Sequence, residues 1–279
     1  MKRFARKLLS LLLMASVALV GILITPPAAH AAIATNGAAI EGCITTGSPL
    51  TLASWTPAAD DLILLQVTQR DELIGISVTG NGLTWTEIAN VDNAQGQNGV
   101  SLWRASGASP TTGSVVVTVT GATTPTTAIA QRFSAVDVGS ANQGVEATAT
   151  NAGPPVTDDA DMLQAVTTVT ADAWAVAAGS TRSGAAFTVP TGETDLLNQT
   201  VDCGTAGNRI RAHMWYEGPV ATPASTQLGA TADLSIAADW CMIVVSLKPS
   251  GDAAPIPPLR RIIITARSGK AFDAGKAQR

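Results

Sequence analysis

The stretch Arg209–Glu217 holds the densest set of side chains able to do chemistry, with Arg211, His213 and Trp215 at every second position. In an extended strand alternate residues point to opposite faces. These three therefore share one side, and Ile210, Ala212, Met214 and Tyr216 share the other. A tryptophan facing outward beside an arginine and a histidine makes a stacking platform for a sugar ring, because indole joins a large apolar face to a polar edge. The same parity recurs over Val100–Ala105, where Val100 and Leu102 read as inward and Ser101 and Trp103 as outward. Trp103, Trp215, Arg211 and His213 are thus the candidate ligand-binding residues. The competing use is packing: a loop or another subunit laid on this face would turn the same tryptophans into core.

Nucleophilic catalysis finds little to work with. The chain has two histidines, His30 within the N-terminal leader and His213, and no Gly-x-Ser-x-Gly turn precedes a helix. His213 reads as mid-strand, whereas a Ser-His-Asp site needs its imidazole presented beside a nucleophile. Paired carboxylates would suit a glycosidase, for which the separation of two acids in space decides. Asp60-Asp61 and Asp158-Asp159 fall at turn positions that Asp favours for its own local hydrogen bonds.

No His/Cys cluster has zinc spacing. Asp158, Asp159 and Asp161 put three carboxylates within four residues, a set suited to calcium's preference for oxygen. The expectation is no cofactor, with calcium at that loop as the one candidate. Of three cysteines, Cys241 shares a strand face with Ile243, Val245 and Leu247 and reads as a buried hydrophobe. Cys43 shares a polar face with Glu41 and Thr45, and Cys203 lies in the loop Asp202–Gly207. By elimination Cys43 pairs with Cys203.

The elements that must position these residues are strands. Between Ala32 and Lys248 no helical pattern of apolar residues emerges. Short runs rich in Val, Ile, Thr and Leu alternate instead with Gly, Asn, Asp and Pro. They are Leu62–Gln69, Val100–Ala105, Ser114–Thr120, Ala128–Val136, Ala173–Gly179, Arg209–Glu217 and Trp240–Leu247. Gly80-Asn81-Gly82 reads as a hairpin-type turn, since these residues tolerate positive φ. The pattern predicts an all-β antiparallel β-sandwich, jelly-roll-like.

Internal similarity adds that the sandwich has two pseudo-repeated halves. LILLQVTQR from Leu62 parallels WAVAAGSTR from Trp174, and ISVTGNG from Ile76 parallels FTVPTGE from Phe187. VSLWRASG from Val100 parallels AHMWYEGP from Ala212, and IAQRFSAV from Ile129 parallels CMIVVSLK from Cys241. Tandem small sandwiches would explain this spacing; a single sandwich whose halves interleave explains it too and is the expected arrangement.

The series D-L-I-L-L-Q-V, G-N-G-L-T-W-T, V-S-L-W-R-A and A-I-A-Q-R-F-S-A-V-D, closed by W-C-M-I-V-V-S-L-K-P, resembles a group of exported bacterial and phage-associated β-sandwich proteins. The resemblance spans Asp61–Pro249 and implies a surface or appendage role. Its motifs are structural, not catalytic.

Destination and charge agree with such a role. Lys2, Arg3, Arg6 and Lys7 precede an apolar stretch from Leu8 to Ile24, and Ala29-His30-Ala31 offers small residues where a signal peptidase reads. Residues 1–31 are thus an expected signal peptide, and an uncleaved anchor is the rival reading. Residues 32–249 form the body, 250–258 a Pro-rich linker and 259–279 a basic C-terminal tail. Between Ala32 and Gly251 there are seven basic residues against 19 acidic ones, so the body is acidic and unsuited to general nucleic-acid binding. Only 14% of residues are charged, where roughly 25% is usual, which excludes a disordered or coiled-coil chain. The expected function is a secreted or cell-surface protein, structural or adhesive and non-enzymatic, whose partner is a surface glycan, a second copy or another surface protein. A carbohydrate-binding module is the alternative, and a polysaccharide-cleaving enzyme the next.

Overall fold

The computed structural model describes residues 31–121, 123–156, 161–182, 187–197, 201–205, 207–232 and 238–251. The expected leader and basic tail lie outside them. All regular structure among the described residues is strand, paired antiparallel.

The first half supplies β1 (Ala34–Thr35), β2 (Ile40–Ile44), β3 (Leu50–Thr51), β4 (Leu62–Arg70), β5 (Ile76–Gly80), β6 (Thr86–Asp92), β7 (Asn98–Ala105), β8 (Val115–Val119) and β9 (Thr126–Ser134). The second supplies β10 (Val145–Val156), β11 (Asp161–Thr167), β12 (Ala173–Thr181), β13 (Phe187–Thr188), β14 (Thr194–Asp195), β15 (Val201–Thr205), β16 (Asn208–Val220), β17 (Ser225–Ala232) and β18 (Ala238–Leu247). All seven runs expected from the sequence are present as strands.

Each half builds one six-stranded and one three-stranded sheet. In the first, β1-β9-β4-β7-β6 run side by side with β2 also on β9, and β3-β8-β5 form the smaller sheet. In the second, β10-β18-β12-β16-β14 run side by side with β15 also on β16, and β11-β17-β13 form the smaller sheet. The repeat therefore survives as topology: β4 and β12, β7 and β16, β9 and β18 hold equivalent places. The expected interleaving does not occur. Every sheet draws its strands from one half, because each half covers the outer face of its own large sheet with its own small one.

Among the described residues the result is four layers and three cores. Leu62, Leu64 and Phe133 of the first half meet Val176, Met214 and Ile243 of the second in a core between the two large sheets. Ile63, Leu65, Val67 and Ala130 pack beneath the small sheet through Val115 and Val117. Ala175, Ala177, Trp215 and Val244 pack likewise beneath Met162, Val166 and Leu228. A strand covered on both faces cannot alternate apolar with polar, which is why β4 opens with four consecutive apolar residues, all buried.

Gly80-Asn81-Gly82 does take positive φ, at 134°, 53° and 66°. It is not a hairpin, however: β5 lies in the small sheet and β6 in the large one, so the turn carries the chain between layers. The Asn81 amide pins it by donating to the carbonyls of Trp55, Thr111 and Gly113, each at 3.1 Å. A Cβ at Gly80 would sit 2.3 Å from the Ser114 carbonyl oxygen, which explains the glycine.

Cys43 on β2 is bonded to Cys203 on β15, with Cα atoms 5.7 Å apart. The bridge expected from the sequence thus ties the first half to the second. Cys241 is free and buried, donating to the Asn98 carbonyl at 3.2 Å. Burial, with Asp92 and Asp239 nearby, pushes its thiol far above the ordinary range.

Candidate functional site

The strand β16 has the parity read from the sequence, but neither of its faces is open. Ala212 and Met214 enter the core between the halves. Trp215 enters the outer core of the second half and is completely buried. The cover is neither a loop nor another subunit but the chain's own small sheet. The outward placement of Trp215 is therefore corrected, and with it the paired platform.

Local sequence explains how a tryptophan fits there. Trp215 lies opposite Ala177 on β12, and a Cβ added at Gly179 would come within 2.8 Å of its ring. Small residues on β12 open the space the indole fills. In the first half the equivalent strand presents Leu65 opposite Trp103, with Val67 two residues on. That space is already taken, so Trp103 stays half-buried against the core beneath the first small sheet, its Nε1 donating to Ser101 Oγ at 3.0 Å.

His213 is buried, 2% exposed. Its Nε2 lies 2.6 Å from Asp195 Oδ1, its ring stacks on Phe187 at 5.3 Å, and Nδ1 is buried without a hydrogen-bond partner among the described residues. Burial lowers its pKa below the usual value, against the opposing pull of Asp195. Such an imidazole is oriented by a carboxylate yet has its other nitrogen sealed in apolar packing. Arg211 is paired with Asp202 at 3.0 Å, and Arg209 joins the same carboxylate at 3.0 Å. Arg211, His213 and Trp215 thus share a face as expected, and what they do there is hold strands together.

Asp158 and Asp159 fall outside the described residues, and of Asp161 only its place at the start of β11 is described. Among the described residues no three His, Cys, Asp or Glu side chains are grouped to hold a metal ion.

Two features were missed in the sequence. One is a polar seam at one end of the core between the halves. There the Gln66 amide donates to Thr68 Oγ1 at 3.0 Å and to the Gly179 carbonyl at 2.7 Å. Asn98 donates to the Ser180 and Asp239 carbonyls and accepts from Ser180 Oγ at 2.9 Å. Arg182 pairs with the buried Asp239 at 3.0 Å and also donates to Gln97. Seam bonds from Gln66, Asn98 and Arg182 each run from one half to the other.

The second feature is a cleft of about 860 Å³ where the two halves end. The chain leaves β9 and β18 side by side: Asp137 N donates to the Lys248 carbonyl at 2.9 Å, and Ser250 N to the Ala135 carbonyl at 2.8 Å. Its lining combines Ala135, Val136 and Val138 with Asp60, Asp61, Asp137 and Lys248. Asp61 accepts from Asn36 and from the Ala58 amide, and Lys248 Nζ meets Asp137 Oδ2 at 2.6 Å. Asp60, at φ 59°, is the exposed carboxylate of the lining. The signal available in the sequence was the Asp60-Asp61 pair, read there as a turn.

Comparisons with protein-family models, with curated proteins and with solved structures found no match in any of the three.

Proposed function

We propose that this chain is an exported surface or appendage protein, structural or adhesive, that works through its body and not through catalysis. The observation that carries this reading is the use of His213 and Trp215 as packing, inside a body whose two halves share a core and a disulfide. A histidine held by a carboxylate and a buried tryptophan are what a site would use, and here both brace an outer sheet. The Cys43–Cys203 bridge suits an oxidising compartment, where such bonds persist. No helix among the described residues is long and apolar enough to cross a membrane. A surface or appendage role is also what the resemblance read from the D-L-I-L-L-Q-V to S-L-K-P series implies.

Carbohydrate binding, the alternative, rested on two tryptophan platforms and loses Trp215. The test combines location and chemistry. Fractionated cells probed for the protein should show it outside the membrane beginning at Ala32, and the purified protein should release no reducing ends from a panel of polysaccharides. Retention of Met1 on a cytoplasmic form, or turnover on any of those glycans, would refute the proposal.

A further inference from the structure

We propose that the basic segment Leu259–Arg267 of one copy docks in the cleft between the halves of a second copy, so that copies join head to tail. This rests on the structural reading above. The cleft is lined by Ala135, Val136 and Val138 together with Asp60, Asp61 and Asp137, of which Asp60 is exposed and Asp137 already meets Lys248. The segment has matching chemistry: Leu259 and Ile262-Ile263-Ile264 for the apolar lining, and Arg260, Arg261 and Arg267 for Asp60 and the acidic body around it. Charge complementarity extends beyond the cleft. The body carries 19 acidic residues against seven basic ones, whereas six basic residues crowd the last 20 positions. Attraction of this kind steers encounter and fixes orientation more than it adds affinity.

The path of the chain decides between its own cleft and a neighbour's. The described chain ends at Gly251, which itself lines the cleft. Between it and Leu259 lie Pro255, Pro257 and Pro258, residues that restrict φ and favour an extended spacer. Seven residues, three of them proline, separate Gly251 from Leu259, and a chain at ~3.1 Å per residue could span about 20 Å. A segment that entered its own cleft would have to turn back within those seven residues, three of them proline, and one that entered a neighbour's would not. A donor segment on one copy and a receptor cleft on the next form a heterologous contact, which grows into rings or open filaments.

The experiment is sedimentation of the full chain from Ala32 to Arg279 at low salt over a wide range of concentration, beside the same chain ending at Gly251 and the double variant Arg260→Glu/Arg261→Glu. The full chain should form concentration-dependent oligomers that dissociate as salt rises, since exposed ion pairs are screened. Reversing both arginines should weaken association about tenfold or more, as befits several exposed pairs acting together. The form ending at Gly251 should remain monomeric with an unchanged melting temperature. Mixed with an Asp60→Asn/Asp137→Asn variant, it should give heterodimers and nothing larger. A full chain that stays monomeric would overturn the proposal, as would oligomers that survive removal of residues 252–279. Binding to phosphatidylglycerol vesicles that needs residues 252–279, with no self-association in solution, would assign the segment to a lipid surface and also overturn it. A monomeric result leaves the exported, non-catalytic reading intact, because that one fails on location or turnover.

Discussion

Trp103 and Trp215 occupy equivalent positions in the two halves and take different places because their neighbours differ in size. Ala177 and Gly179 make room for one; Leu65 and Val67 exclude the other. Replacing Trp215 with Ala should cost about 3–5 kcal/mol in a denaturant melt, as deletion of a fully buried aromatic does, and Trp103→Ala distinctly less. His213 adds a pH dependence. Burial holds its pKa below the unfolded value, so the unfolded chain takes up a proton first as pH falls. Stability is therefore complete above the ordinary histidine range and declines as pH falls through about 6 and below. Urea melts between neutral and mildly acid pH should show this decline, and His213→Gln should flatten it. What the sequence disclosed here was which side chains share a face. It did not disclose what lies on that face, because alternation reads the same toward solvent and toward a covering sheet.

Among the strands, the long apolar runs and the covering strand β8 were legible, and the other covering strands were not. β4 and β18 announce themselves through runs of Leu, Ile and Val, and β9 through Ala-Ile-Ala followed by Phe133. β11, β13 and β17, which bury Trp215, are short or broken by Thr, Gln and Gly, so their apolar residues form no continuous run. They hold through Met162, Val166, Phe187 and Leu228, which enter the core over Trp215, and through ties at their ends. Glu146 on β10 is one such tie, accepting from the Val169 and Thr170 amides, from Thr170 Oγ1 at 2.7 Å and from Ser246 Oγ at 2.8 Å. Burial alone would raise its pKa; these bonds outweigh burial and hold it lower. Glu146→Ala should lose roughly 1–3 kcal/mol, measured by chemical denaturation, since it strands several donors at once. The disulfide acts at this scale too, fastening β2 to β15 across 160 residues of chain. Reduction, or Cys43→Ser, should destabilise by roughly 2–5 kcal/mol in a thermal melt run beside the oxidised protein. Side-chain parity on two strands was enough to find that pair. The seam of Gln66, Asn98 and Arg182 was invisible, because its bonds join residues far apart in sequence.

For the molecule as a whole, the claim is that two similar halves are one cooperative body. Each half has its own small sheet and outer core, yet the face of each large sheet that meets the other half would be bare apolar surface if the halves separated. A shared core of that kind, with a bridge and a hydrogen-bonded seam around it, couples the unfolding of one half to that of the other. Residues 33–140 and 141–249 expressed apart should each expose that face and aggregate or fail to melt sharply. The most direct measurement is scanning calorimetry of the intact, oxidised chain. The structure predicts one transition whose calorimetric enthalpy equals its van't Hoff enthalpy. Two resolved transitions, or a calorimetric enthalpy near twice the van't Hoff value, would mean that the halves fold independently and would contradict it.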